Sequence, residues 1–353
     1  MKWLFAIVIL FSLQIEPVQA AGMEEPLDLL WEEAQEYGIS SQTSLEEGTS
    51  TLLHVIQEEM AGMWRHGLRT AAKLLAVVLV CSLAQQMERS ELRQGMDVTQ
   101  MAGALAIAAL ALGDVNAMIG LGRECVGRME LFSRVLLPAM ATVCAATGNI
   151  TGGVVRQSIT VFFSQMMVLA MDRLLIPMVY YYVAVSCAQA VLGNGGLSRL
   201  ASLMKGAITF FLTGMLLVFV GYLTASGAIA GTVDAAKVKA AKMAISRAVP
   251  VVGSILSDAS EAILAGAGML KGTVGIVGLL VVLAICITPF LHLGMQYVIY
   301  KGTCALCATV ADPKLCGLID AIGGAFGLVL GMTGAAALLL MVSMVSAVSV
   351  VVR

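Results

Sequence analysis

Apolar residues dominate the chain from about residue 70 onward and form long runs separated by short polar stretches. Several runs approach the ~20 residues with which an α-helix crosses the ~30 Å hydrocarbon core of a bilayer. The pattern therefore predicts an all-α, polytopic helical membrane protein with about seven spans, within a range of six to eight. The predicted spans are 71–87, 98–122, 132–155, 157–192, 206–231, 272–295 and 317–350.

Two of these spans are longer than a simple crossing requires. The 157–192 segment contains Asp172, Arg173 and Pro177 near its middle, so it is either one broken, tilted helix or a tight hairpin. The uncharged run 321–352 would measure about 48 Å as one helix, so it must tilt, bend or emerge from the bilayer. The numbers of Lys and Arg residues in the loops on the two sides of the membrane do not decide the orientation of the protein in the bilayer.

The first twenty residues have the organisation of a secretory signal. They hold one lysine, a short apolar run and an exit of small residues, which predicts a signal peptide cleaved between Ala20 and Ala21. An uncleaved membrane anchor is the alternative. If the signal is removed, the mature N-terminus lies outside the cytoplasm.

An acidic head, residues 21–68, precedes the membrane domain, residues 69–353. Between residues 21 and 64 there are ten acidic residues and no Lys or Arg. Helical spacing predicts two short amphipathic helices in this extracytoplasmic head. The second is expected to start near Ser44, which forms a capping-box pattern with Glu47.

The segment 232–271 differs from the spans around it. It alternates charged and apolar positions at helical spacing on both sides of Pro250, which predicts an amphipathic helical hairpin. Such a hairpin lies in the membrane interface, enters the bilayer as a re-entrant element, or forms a loop domain. The sequence leaves these three alternatives open.

Composition excludes a water-soluble globular fold. Of 353 residues, 59% are apolar and 12% are charged, and the mean hydropathy is +0.91. Soluble domains carry ~25% charged residues. The basic residues are scattered singly between apolar runs, so no nucleic-acid interface is expected.

Candidate catalytic and metal-binding residues are sparse. Cys304 and Cys307 form a CxxC pair followed by Cys316, but a zinc site needs four ligands and the nearest histidine is His292. Ser226 and His292 are weakly similar to the Ser/His pair of intramembrane serine proteases. A serine among small residues is more often a helix-packing position. We therefore expect no enzyme activity, no metal and no cofactor.

Two other patterns point to helix packing and to buried charge. Gly323, Gly327 and Gly331 recur every four residues, which predicts close helix contact within the bundle or between subunits. Three acidic residues are candidates for buried polar positions or for a polar route through the bundle: Asp114, Asp172 and Asp320.

The phrases TVDAAKVKAAKMAI, VPVVGSILSDASEAIL and LKGTVGIVGLLVVL, followed by TPF, resemble the stage III sporulation protein AE family of endospore-forming bacteria. The positions that carry this resemblance are Pro250, Gly253, Asp258, Lys271, Gly275 and Pro289. The resemblance implies a multi-pass protein of the mother-cell membrane around the forespore. Its implied partners are the other stage III A operon membrane proteins and, through their complex, stage II sporulation protein Q.

The function expected from the resemblance is that of a membrane subunit in the channel-like complex that links mother cell and forespore and supports forespore development. A small-solute secondary transporter is the alternative, because Pro138, Pro177 and Pro289 interrupt predicted spans. The sequence shows no convincing internal repeat, which disfavours the transporter.

Overall fold

The computed structural model describes residues 45–88, 98–146, 152–193, 195–225, 273–309 and 312–351. Within these ranges all regular secondary structure is helical. The elements in chain order are α1 (Leu45–Glu88), α2 (Val98–Ala146), α3 (Gly152–Ala170), a π-helical turn (Met171–Leu175), α4 (Ile176–Leu192), α5 (Gly195–Ala225), α6 (Thr273–Cys307) and α7 (Pro313–Val351).

Six segments of the described helices are long and apolar enough to cross a membrane. They are Gly62–Gln85, Val98–Ser133, Phe162–Leu192, Gly195–Phe219, Leu280–Cys307 and Pro313–Met344. The predicted all-α, multi-spanning architecture is confirmed in the part of the chain that the structure describes. The total number of spans in the whole chain stays a prediction.

Helix α1 joins the head to the membrane domain. It begins at Leu45, next to the predicted capping residue Ser44, and continues without a break past residue 68 to Glu88. The second helix predicted in the head is therefore continuous with the first span. The reason is that the buried stripe keeps one helical period from Met63 to Cys81.

Helix α2 replaces the loop predicted between spans 98–122 and 132–155. Its 49 residues run from Val98 to Ala146, so the expected break after residue 122 is wrong. The charged residues of that stretch lie on one face of the helix, with Arg123 exposed and Cys125 and Met129 buried on the other. Charge in this stretch therefore marks a polar helix face.

The segment 157–192 is one broken helix, which decides between the two alternatives left open by the sequence. Helices α3 and α4 continue into each other through the π-helical turn Met171–Leu175. Pro177 follows directly, in the first turn of α4. Proline lacks the N–H that a helix interior needs, so it is accommodated where the hydrogen-bond pattern already changes.

Helix α7 forms the centre of the bundle. It packs against α6 and α2 most extensively, and also against α3, α4 and α5. In its most apolar stretch 94% of the residues are buried, against 22 to 39% for the other five spans. The long C-terminal run of the sequence is therefore one continuous helix enclosed by the others.

Two short connections carry the expected turn chemistry. Gly193 ends α4 with a φ of 65°, in the left-handed region that glycine adopts without strain, and its N–H donates to the carbonyl of Gln189 at 2.8 Å. Asp312 precedes Pro313 and its carboxylate accepts from the N–H of Lys314 at 2.8 Å, which caps α7. Each connection is short in sequence, with at most five residues between the ends of the two helices.

Several predicted features lie outside the described residues. These are the signal peptide with its cleavage site between Ala20 and Ala21, the first amphipathic helix of the head and the 232–271 hairpin.

Candidate functional site

Asp114, near the middle of the α2 span, forms polar contacts with side chains of two other helices. The Tyr300 hydroxyl on α6 donates to Asp114 Oδ2 at 2.9 Å, and His66 Nε2 on α1 lies 3.6 Å from Oδ1. The Asp114 side chain is 15% exposed. This carboxylate therefore connects three helices of the bundle, as a charged group among apolar spans requires.

A second acidic residue, Asp320, is bound by Lys301, which follows Tyr300 on α6. Lys301 Nζ donates to Asp320 Oδ1 on α7 at 2.5 Å. Tyr300 and Lys301 are consecutive, so they leave α6 in different directions and bind carboxylates on α2 and α7. The two contacts fix α6 between its neighbours.

The third acidic residue, Asp172, lies in the π-helical turn. Arg123 on α2 donates from Nε to Asp172 Oδ1 at 2.7 Å, and Arg173 Nε lies 3.7 Å from Oδ2. Both arginine side chains are mostly exposed. The contact therefore holds α2 to the irregular turn at the surface of the bundle, where its contribution to stability is small.

The predicted glycine positions on α7 lie against α6. A Cβ atom added to Gly323 would lie 3.1 Å from Tyr300 Cβ, and one added to Gly327 would lie 3.0 Å from the Tyr297 ring. Gly331 is buried one turn further along α7. The small residues at Gly323 and Gly327 thus permit close approach of the two helices, as such stripes do in membrane proteins.

Three cysteines meet at the turn between α6 and α7. The Cys304 thiol lies 3.5 Å from the carbonyl of Cys316, and the Cys316 thiol lies 3.9 Å from the carbonyl of Cys304, while Cys307 is buried beside them. All three are free thiols. Among the described residues no group of three or more His, Cys, Asp and Glu side chains could hold a metal ion.

The residues that carried the family resemblance are described only in part. Pro250, Gly253, Asp258 and Lys271 lie outside the described residues, as does Ser226. Gly275 falls in the first turn of α6. Pro289 is buried inside α6, which continues through it.

The sequence pattern does not indicate which residues of other helices bind the three acidic side chains. Tyr300 and Lys301 lie beyond the end of the predicted span 272–295, and Arg123 lies between the predicted spans 98–122 and 132–155. Single basic residues in otherwise uncharged runs are the signal that could indicate these partners. A lone cation between apolar helices needs an anion nearby. The pairing of each basic residue with a particular acidic residue depends on which helices pack together.

Long apolar helices around a nearly enclosed central helix, with acidic side chains paired between them, define a polytopic α-helical membrane protein. Comparison with known proteins adds the family. The chain belongs to the stage III sporulation protein AE family, whose model matches residues 36–351. This match confirms the resemblance and supports a role in sporulation.

The chain is also similar to one characterised relative over part of its length. Stage III sporulation protein AE of Bacillus subtilis (strain 168) is 24% identical over 217 residues, which cover 60% of this chain and 53% of the relative. The aligned region thus spans about half the length of that relative. No solved structure matches the chain.

Proposed function

We propose that this protein is a membrane subunit of the channel-like complex that connects mother cell and forespore during stage III of sporulation. The observation that carries the proposal is the family match over residues 36–351. In this proposal the protein lies in the mother-cell membrane around the forespore and supports forespore development without catalysing a reaction.

The distribution of buried surface supports a role as a subunit. Within the part of the chain that the structure describes, only 22% of the most apolar stretch of α5 and 28% of that of α1 are buried. Lipid covers such faces in an isolated protein, and helices of neighbouring subunits cover them in a complex. The partners we propose are the other stage III A operon membrane proteins and, through them, stage II sporulation protein Q.

The test is an in-frame deletion in the native host, complemented by a tagged full-length copy. We expect the deletion strain to arrest after engulfment, and the tagged protein to co-purify with other operon products in mild detergent from sporulating cells. Normal spores together with isolation as a lone monomer would contradict the proposal. Specific solute uptake by the purified protein in liposomes would favour a transporter instead.

A further inference from the structure

We propose that Cys304 and Cys316 form a reversible disulfide between the end of α6 and the start of α7. The oxidant is a small disulfide in solution, and Cys304 is the thiol that reacts with it first. This inference is independent of the proposed function, because it concerns a covalent modification of the chain's own thiols.

Cys304 and Cys316 occupy matching positions on the two sides of the α6–α7 turn. Cys304 lies three residues before the end of α6, and Cys316 lies three residues after the start of α7. The Cys304 thiol lies 3.5 Å from the carbonyl of Cys316, and the Cys316 thiol lies 3.9 Å from the carbonyl of Cys304. The two thiols also interact with each other. Each sulfur thus lies beside the backbone of the other cysteine, from where a change of side-chain rotamer brings the two sulfurs together.

The backbones of α6 and α7 approach closely beside this pair. A Cβ atom added to Gly323 would lie 3.1 Å from Tyr300 Cβ and 3.5 Å from the Lys301 backbone N. Tyr300 lies one turn before Cys304 on α6. Gly323 lies two turns after Cys316 on α7. A disulfide needs its two Cα atoms about 4.4–6.8 Å apart, so it requires helices that pack this tightly.

Exposure distinguishes Cys304 from a second pair of neighbouring cysteines. Cys304 is half-buried, and its carbonyl accepts from the N–H of Ala308, an exposed residue of the turn, at 2.9 Å. Cys125 on α2 and Cys286 on α6 also interact with each other, but they are only 2% and 9% exposed. A small disulfide in solution therefore reaches Cys304 more readily than Cys125 or Cys286.

The reaction consists of two thiol–disulfide exchanges. The Cys304 thiolate attacks one sulfur of the small disulfide, so a mixed disulfide forms and one small thiol leaves. The Cys316 thiolate then attacks the Cys304 sulfur, which forms the bond between the two cysteines and releases the second small thiol. The protein loses two electrons and two protons, and the small disulfide gains both. The reverse exchange with the small thiol regenerates the two free cysteines.

The experiment uses the purified full-length protein in detergent, with oxidised glutathione as the small disulfide. Trypsin cleaves after Lys301 and Lys314, so it separates Cys304 and Cys316 into the peptides 302–314 and 315–353. We expect mass spectrometry of the treated and alkylated protein to show these two peptides joined by a disulfide. Excess reduced glutathione, added before alkylation, should separate them.

The buried pair provides the comparison within the same sample. Cys125 and Cys286 lie in the tryptic peptides 124–128 and 272–301, so a disulfide between them gives a different linked product. We expect the disulfide between Cys304 and Cys316 to form roughly tenfold faster or more, because the buried pair is shielded from solution. Equal rates for the two pairs would overturn the proposal.

Two variants test the assignment of the partners. Cys307→Ser is the matched control, since it leaves Cys304 and Cys316 in place and should keep the linked peptides. Cys316→Ser should abolish the link and leave glutathione bound to Cys304. A bond between Cys304 and Cys307 within the peptide 302–314, or no linked peptides in the protein without substitutions, overturns the proposal. Those two results need no variant, so they decide the question even if a variant does not fold.

Discussion

Helices α7 and α5 are both long and apolar, but the rest of the bundle encloses one and leaves the other open. The most apolar stretch of α7 is 94% buried and that of α5 is 22% buried, although their mean hydropathies, 2.2 and 1.7, both suit a membrane span. The glycines of the two helices have different surroundings. Gly323 and Gly327 of α7 lie against α6, whereas a Cβ atom added at Gly206 or Gly214 of α5 would meet nothing within 4 Å. Small residues permit close helix contact, but neither they nor hydropathy decides which helix is enclosed, because lipid solvates apolar side chains as well as protein does.

The largest effect is expected from a bulky residue on the enclosed helix. Gly323→Leu would place its side chain against Tyr300 Cβ at 3.1 Å and the Lys301 backbone N at 3.5 Å, where backbone cannot yield easily. We expect loss of folded protein, measured as membrane accumulation and thermal unfolding in detergent. Gly317→Leu is the control on the same helix, since nothing lies within 4 Å of a Cβ atom there. Equal effects of the two variants would contradict the close α6–α7 contact.

The two faces of α5 provide the next test. Leu216 is 2% exposed and its neighbour Leu217 is 60% exposed. We expect Leu216→Ala to lower the free energy of unfolding by about 2–4 kcal/mol because it leaves a cavity. Leu217→Ala should change it little in the isolated protein. A larger loss for Leu217→Ala in thermal or denaturant unfolding would reverse the assignment of the inner and outer faces.

The polar contact that holds α6 beside α2 should contribute less than the apolar packing. Asp114→Leu removes the acceptor of the Tyr300 hydroxyl and leaves it unsatisfied in the bundle, which costs about 1–3 kcal/mol. Asp114→Asn keeps an acceptor and should be milder. Adding Tyr300→Phe to Asp114→Leu should recover part of the loss, and strictly additive effects in this double-mutant cycle would argue against the contact.

The smallest effect is expected at the surface of the bundle, where Arg123 binds Asp172. Arg123→Gln breaks the ion pair with Asp172, but the arginine side chain is 64% exposed and water screens its charge. We expect a shift in thermal unfolding near the detection limit, equal to that of Arg173→Gln. A loss comparable to Leu216→Ala would mean that the π-helical turn depends on this contact.

The sequence predicted the class of fold and the positions of most spans, because run length is a local signal. Of the three acidic residues predicted to be buried, Asp114 and Asp172 are 15% and 25% exposed, whereas Asp320 is 46% exposed. It did not predict that residues 98–146 form one helix. The charges from Arg123 to Glu130 suggested a loop, whereas helical spacing places them opposite Cys125 and Met129. It also did not predict that α7 is central or that Tyr300 and Lys301 bind Asp114 and Asp320. Those contacts depend on which helices become neighbours, which hydropathy does not encode.

The π-helical turn Met171–Leu175 has a consequence for helical phase. Buried positions recur from Thr160 on α3 to Ala190 on α4 over eight helical turns. Eight turns of regular α-helix would take about 29 residues. Thr160 and Ala190 are 30 residues apart, so the segment contains one additional residue. The wider turn accommodates the additional residue, so the buried faces of α3 and α4 stay aligned. A one-residue deletion within Met171–Leu175 should therefore restore regular winding with both faces in phase, whereas the same deletion elsewhere in α3 or α4 would rotate one face by about 100°.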